Sequence, residues 1–199
     1  MALLRAIRRR SATGDRQPSP RLRLALCALL ISVALDASAQ TGPPREYQLK
    51  AVFLFNFAQF VEWPTTAFAE AQTPLVIGVL GADPFDSYLD DTVRGERVNN
   101  RTLSVRRYQR VEQIQDCQVL FISRSEAGRL KEVLSGLRGR PILTVGESEN
   151  FAKEGGMVRF VTEKNRIRLR INLEAAKAVN LTISSKLLRP AEIVAPGRN

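Results

Sequence analysis

The chain is 199 residues long, with 30 basic and 20 acidic side chains, a formal charge of +10, two cysteines and no histidine. The missing histidine excludes Ser-His-Asp and Cys-His triads, histidine-ligated metal sites and a histidine pH switch. No long basic block accompanies the positive charge, so the composition does not describe a nucleic-acid binder.

The first 39 residues read as a secretory signal peptide. Arg5, Arg8, Arg9, Arg10, Arg21 and Arg23 precede the uncharged run from Leu24 to Leu35, and Ala37-Ser38-Ala39 then stands before Gln40. A basic lead, a short apolar core and an A-x-A site are the parts such a leader needs. The run has twelve residues, fewer than the roughly 20 needed to cross a bilayer core; the alternative is an uncleaved anchor. Leu26 before Cys27 does not suit a lipoprotein, and the stretch from Ser11 to Pro20 separates the arginines from the apolar run, unlike a twin-arginine signal. The leader holds seven arginines and two aspartates, so cleavage near Ala39-Gln40 leaves 23 basic and 18 acidic residues, or +5. The expected organisation is a signal peptide over 1–39, a flexible start over 40–45, one domain over 46–194 and a flexible tail over 195–199. After cleavage the protein is not itself membrane-spanning.

Glu46 to Glu62 reads as a helix stopped by Trp63-Pro64. Its apolar residues cover nearly the whole surface, so it packs in a core or against another chain. Leu75 to Leu80 is a continuous apolar strand, and Gly81 to Pro84 turns into a helix over 85–93. Strands follow over 102–108 and 119–122, then a helix over 125–137 with Ser125 as N-cap, then a short strand over 142–145. Residues 157–163 and 166–173 alternate apolar and polar, with Lys164-Asn165 between them, and read as a β-hairpin. A helix over 173–180 and an apolar stretch over 183–188 complete the pass. Strands alternating with helices argue for an α/β fold: a single layered domain, a mostly parallel sheet flanked by helices, and a late antiparallel hairpin.

Few motifs carry chemistry. Gly78 to Gly81 lacks the third glycine of a dinucleotide fingerprint, and Gly155-Gly156 reads as a turn before the hairpin. Asp83, Asp86, Asp90 and Asp91 fit helix capping and an exposed face, with a metal site as the alternative. Cys117, alone after cleavage, cannot form an internal disulfide; it reads as a small buried hydrophobe, against a reactive thiol or a link between chains. One constellation stands out. On the second hairpin strand Ile167, Leu169, Ile171 and Leu173 point one way, while Arg166, Arg168, Arg170 and Asn172 point the other, with Arg159 able to join them across the turn. Guanidinium forks in a row suit carboxylates or phosphates; the alternative is a solvated face that shields a sheet edge. Phe53, Phe57, Phe60 and Trp63 have a similar double reading, as core or as a partner surface.

The run from Lys50 to Pro64 resembles the opening motif of the YfiR/HmsC-like proteins. Val79-Leu80-Gly81 with Asp83-Pro84-Phe85, Cys117 before Leu120 to Ser123, and Leu143 to Gly146 with Phe151 match in order. Gly155-Gly156, Arg168, Ile171-Asn172-Leu173 with Ala175-Ala176, and Ser184 to Leu188 follow. The resemblance covers roughly residues 46–194. It implies a periplasmic regulatory protein, not an enzyme and without a cofactor or metal, that binds the periplasmic domain of an inner-membrane diguanylate cyclase. Repression of that cyclase would lower cyclic-di-GMP and biofilm formation. The resemblance also allows a homodimer. Some relatives use disulfides for redox control, which Cys117 alone cannot supply within one chain. The contact residues expected are Arg168, Arg170 and Asn172, with Phe57, Phe60 and Trp63 as apolar contacts. The alternative function is a periplasmic small-ligand-binding module, with its pocket at the carboxyl ends of the strands.

Overall fold

The computed structural model describes residues 45–164 and 166–195. The expected signal peptide, its cleavage site, Asn165 and residues 196–199 lie outside them. The first helix, α1 (Arg45–Phe60), runs straight into a two-residue strand, β1 (Val61–Glu62), before Pro64 opens a 3-10 turn. Strand β2 (Leu75–Leu80) is buried along its whole length, as its unbroken apolar sequence requires of a strand covered on both faces. Helix α2 (Tyr88–Val93), strand β3 (Arg97–Val98) and strand β4 (Arg101–Tyr108) follow. Next come β5 (Val119–Ile122), α3 (Leu130–Gly136) and β6 (Leu143–Gly146). The hairpin strands are β7 (Val158–Glu163) and β8 (Arg166–Ile171). The chain closes with α4 (Leu173–Lys177), β9 (Thr182–Ile183), α5 (Ser185–Leu188) and β10 (Glu192–Ile193).

The main sheet has the order β10-β8-β7-β6-β5-β2-β4-β3. It is parallel except where β7 pairs with β8 and β4 with β3, so the expected α/β class and antiparallel hairpin are both present. After β2 the chain adds β4 on one side and returns to add β5 on the other, placing the topological switch between β2 and β5. One face of the sheet meets α1, α2 and the segment from α4 to α5 through Ile77, Val79, Phe121, Val145, Phe160 and Ile171. The other meets α3 and Phe151 through Val76, Leu80, Leu120 and Ile122. β1 and β9 form a separate two-stranded sheet that ties the end of α1 to the C-terminal segment.

The first helix, expected to run to Glu62, ends at Phe60 because Val61 and Glu62 pair with β9, and three more helices differ from the sequence expectation. The one expected over 85–93 starts at Tyr88, because Asp86 takes φ +55° and interrupts the turn before it. The one expected over 125–137 is a 3-10 segment, Arg124–Arg129, followed by α3. Its N-cap is Ser123, whose hydroxyl accepts from Ser125 N, while the Ser125 hydroxyl accepts from Ala82 N at 3.0 Å. The one expected over 173–180 ends at Lys177, and Asn180 takes φ +58°. In the hairpin turn Lys164 takes φ +48°.

Candidate functional site

The hairpin register is Arg159↔Arg170, Val161↔Arg168 and Glu163↔Arg166. Directly opposed residues of an antiparallel pair share a face, so Arg159, Arg166, Arg168 and Arg170 stand together on the side opposite Phe160, Leu169 and Ile171. Arg168 meets Glu163 at 3.6 Å, both exposed, and Arg170 meets Glu192 of β10 at 2.8 Å. Arg159 is different. Its Nε is the one buried side-chain nitrogen or oxygen without a hydrogen-bond partner among the described residues. Burial first, and then the charge of Arg170 opposite, push its guanidinium below the usual arginine range. The four arginines of the array therefore outnumber the two carboxylates, Glu163 and Glu192, that pair with them.

Asn172 does not share in this display. It is 1 % exposed, its Oδ1 accepts from Ala175 N at 3.0 Å and its Nδ2 donates to Ala152 O at 3.4 Å. It starts α4 as an N-cap. Phe57 is also inside, at 0 % exposure, and stacks on Phe160 with ring centroids 5.9 Å apart. Phe60 is half-buried with Lys186 Nζ 5.1 Å above its ring. Trp63 is half-buried too; its Nε1 donates to Gln118 O at 3.2 Å. The outward side of α1 carries Leu49 and Val52, 48 % and 40 % exposed. The helix thus serves the core on one side and leaves an apolar stripe on the other.

A charged cluster that sequence reasoning missed lies where α1 crosses the carboxyl ends of β6 and β7. Lys50 is 1 % exposed and its ammonium donates to Glu46 at 2.5 Å and to Glu147. Glu147 also accepts from the Tyr47 hydroxyl at 2.8 Å and meets Arg124 at 3.2 Å. Lys50 lies 4.5 Å from the Tyr47 ring centroid. Burial, then the hydrogen bond to Glu147, raise the Tyr47 hydroxyl to about 12. Burial works to raise Glu46, yet hydrogen bonds from Lys50 and Thr162 hold its carboxyl below the usual value. The signal available in sequence was Lys50 four residues after Glu46 in an otherwise apolar run. Nothing local announced Glu147.

The crevice at the switch point is filled. Ser125 and the buried Glu126 close over Gly81, which has φ +88° and where a Cβ would lie 2.3 Å from Ser125 Oγ. Three of the four carboxylates in the acidic cluster have arginine partners: Arg107 donates to Asp83 at 2.7 Å and to Asp90 at 2.5 Å, and Asp91 pairs with Arg94. Asp83 Oδ1 accepts from Phe85 N. Among the described residues no group of three or more cysteine, aspartate or glutamate side chains could hold a metal ion. Likewise no helix among them is long and apolar enough to cross a membrane.

A family model described as YfiR/HmsC-like matches residues 47–192. The chain belongs to this family. No curated protein matches it. As a YfiR/HmsC-like protein the chain fits a periplasmic regulator of diguanylate cyclases. Most residues through which the YfiR/HmsC-like resemblance was first legible have structural work here: the Lys50–Pro64 motif is α1 and its exit, and Gly146 and Gly156 lie under the Phe151 ring.

Proposed function

We propose that this protein binds the periplasmic sensor domain of an inner-membrane diguanylate cyclase and holds it inactive, which lowers cyclic-di-GMP and biofilm formation. The observation that carries this reading is the family match over residues 47–192. Repression needs only that the protein bind the inactive sensor conformation more tightly than the active one, a coupling of typically ~1–3 kcal/mol. The contact surface we assign has a basic and an apolar part. Arg168 and Arg170, with Arg159 beside them, meet acidic groups of the sensor; Phe60, Trp63 and the exposed Leu49 and Val52 supply apolar contact. Phe57 and Asn172 support this surface from within, Phe57 by filling the core and Asn172 by capping α4. The same apolar stripe can serve a second copy of the chain in a homodimer.

The test is cellular cyclic-di-GMP in a deletion strain complemented with the wild-type gene or with Arg168→Glu/Arg170→Glu. Deletion should raise the level, wild type should restore it, and the double variant should fail to restore it while reaching the same abundance. No rise on deletion, under conditions of expression, would reject repression. Full restoration by the double variant would return the arginines to a solvated face.

A further inference from the structure

A second surface feature lies apart from the arginine face and comes from incomplete sheet coverage. β7 joins β6 only through Val145↔Val158 and Gly146↔Arg159. Ile142, Leu143 and Thr144 therefore have no β7 residue beside them, and a cleft of 390 Å3 opens there between α3 and the segment from α4 to Val179. That volume lies within the roughly 300–1,000 Å3 of small-molecule sites. Its floor is Ile142, Thr144 and Met157, all buried. The Thr144 hydroxyl already accepts from Met157 N at 3.1 Å, so the floor presents mainly hydrocarbon. Leu134, Ala175 and Val179 extend that apolar lining up the walls.

The rim has the opposite character. Lys131 and Arg138 are exposed, line the cleft, and form no ion pair or side-chain hydrogen bond among the described residues. Glu154 is the one acidic residue lining it, so the rim keeps a net positive charge. An apolar floor beneath unpaired cations selects an amphiphile with an anionic head: the hydrocarbon gains from leaving water, and the head keeps both water and a counter-charge.

We propose that this cleft binds an amphiphilic carboxylate, with its acyl chain on Ile142, Met157 and Val179 and its head at Lys131 and Arg138. The proposal is independent of cyclase repression. It is tested by calorimetric titration of the protein, purified after expression of the full chain, with octanoate and with the uncharged octanamide. Octanoate should bind saturably, and octanamide about tenfold more weakly for want of the charge-assisted contacts. Lys131→Ala/Arg138→Ala should lose the same factor for octanoate and nothing for octanamide. Ala178→Trp, an exposed position at the mouth, should abolish binding of both while leaving thermal melting in place. Absence of saturable octanoate binding, equal affinity for octanamide, or binding indifferent to both variants would each overturn the proposal.

Discussion

Lys50 shows how much a single side chain decides. It sits on the buried side of an apolar helix, and burying an ammonium there is tolerable only because Glu46 and Glu147 surround it. Removing Lys50 leaves the buried Glu147 carboxylate with only the Tyr47 hydroxyl and the exposed Arg124 to offset its charge. Lys50→Met should therefore destabilise the protein by about 3–5 kcal/mol, read from urea denaturation followed by circular dichroism. The double variant Lys50→Met/Glu147→Leu should recover much of that loss, since an apolar pair of similar volume carries no desolvation penalty. If the double variant were as unstable as the sum of the single ones, the ion pair would be ruled out as the cause. Cys117 is the opposite case, a residue whose chemistry is suppressed by its place. It is buried at the start of β5 and its thiol donates to Val119 O at 3.2 Å, out of reach of a second chain in the folded state.

At the scale of elements, the hairpin and the turn before it form one device. Phe151 folds back over Gly146 and Gly156, where an added Cβ would lie 2.3 and 2.2 Å from the ring. This contact covers the sheet beside Arg159 and positions the entry to β7. Gly156→Ala should cost about 1–3 kcal/mol through that overlap, and Gly156→Ala/Phe151→Leu should be less destabilised than the single glycine change. A denaturation midpoint unchanged by Gly156→Ala would show that the ring can move aside freely. On the hairpin itself the arginines are held by register, since Arg159 can oppose Arg170 only if the turn has two residues between Glu163 and Arg166. Lys164 accepts the positive φ this turn demands.

For the whole molecule, the buried groups predict a pH profile. Burial raises the Cys117 thiol from 9.0 to about 12, and burial with Glu147 raises Tyr47 from 10.0 to about 12. Both hold their protons more tightly folded than unfolded. Their share of stability is therefore complete below pH 9 and is lost as the pH rises toward about 12. The denaturation midpoint should fall across that window, and fall less steeply in Cys117→Ala. An identical slope in the variant would remove Cys117 from the account. At the acid side Glu46 and Asp90 are both held below their ordinary values, Asp90 by Arg107. Their share is complete above the ordinary carboxylate range and disappears as the pH falls through the depressed values.

The local pattern of the chain was enough for the strand over Leu75–Leu80, the strand at Val119–Ile122, the hairpin with its arginine face and the α/β class. These depend on hydrophobic period and turn residues, which neighbours in sequence determine. The short strands β1, β3, β9 and β10 were not legible, because two residues carry no period and each exists only through its partner. The same holds for function. The arginine row could be read from alternate positions and Phe57 already had a core reading, but the burial of Asn172, the orphan Nε of Arg159 and the joining of Lys50 to Glu147 could not be read. Those facts belong to pairs of residues about a hundred positions apart or to packed layers, and only the folded sheet brings them together.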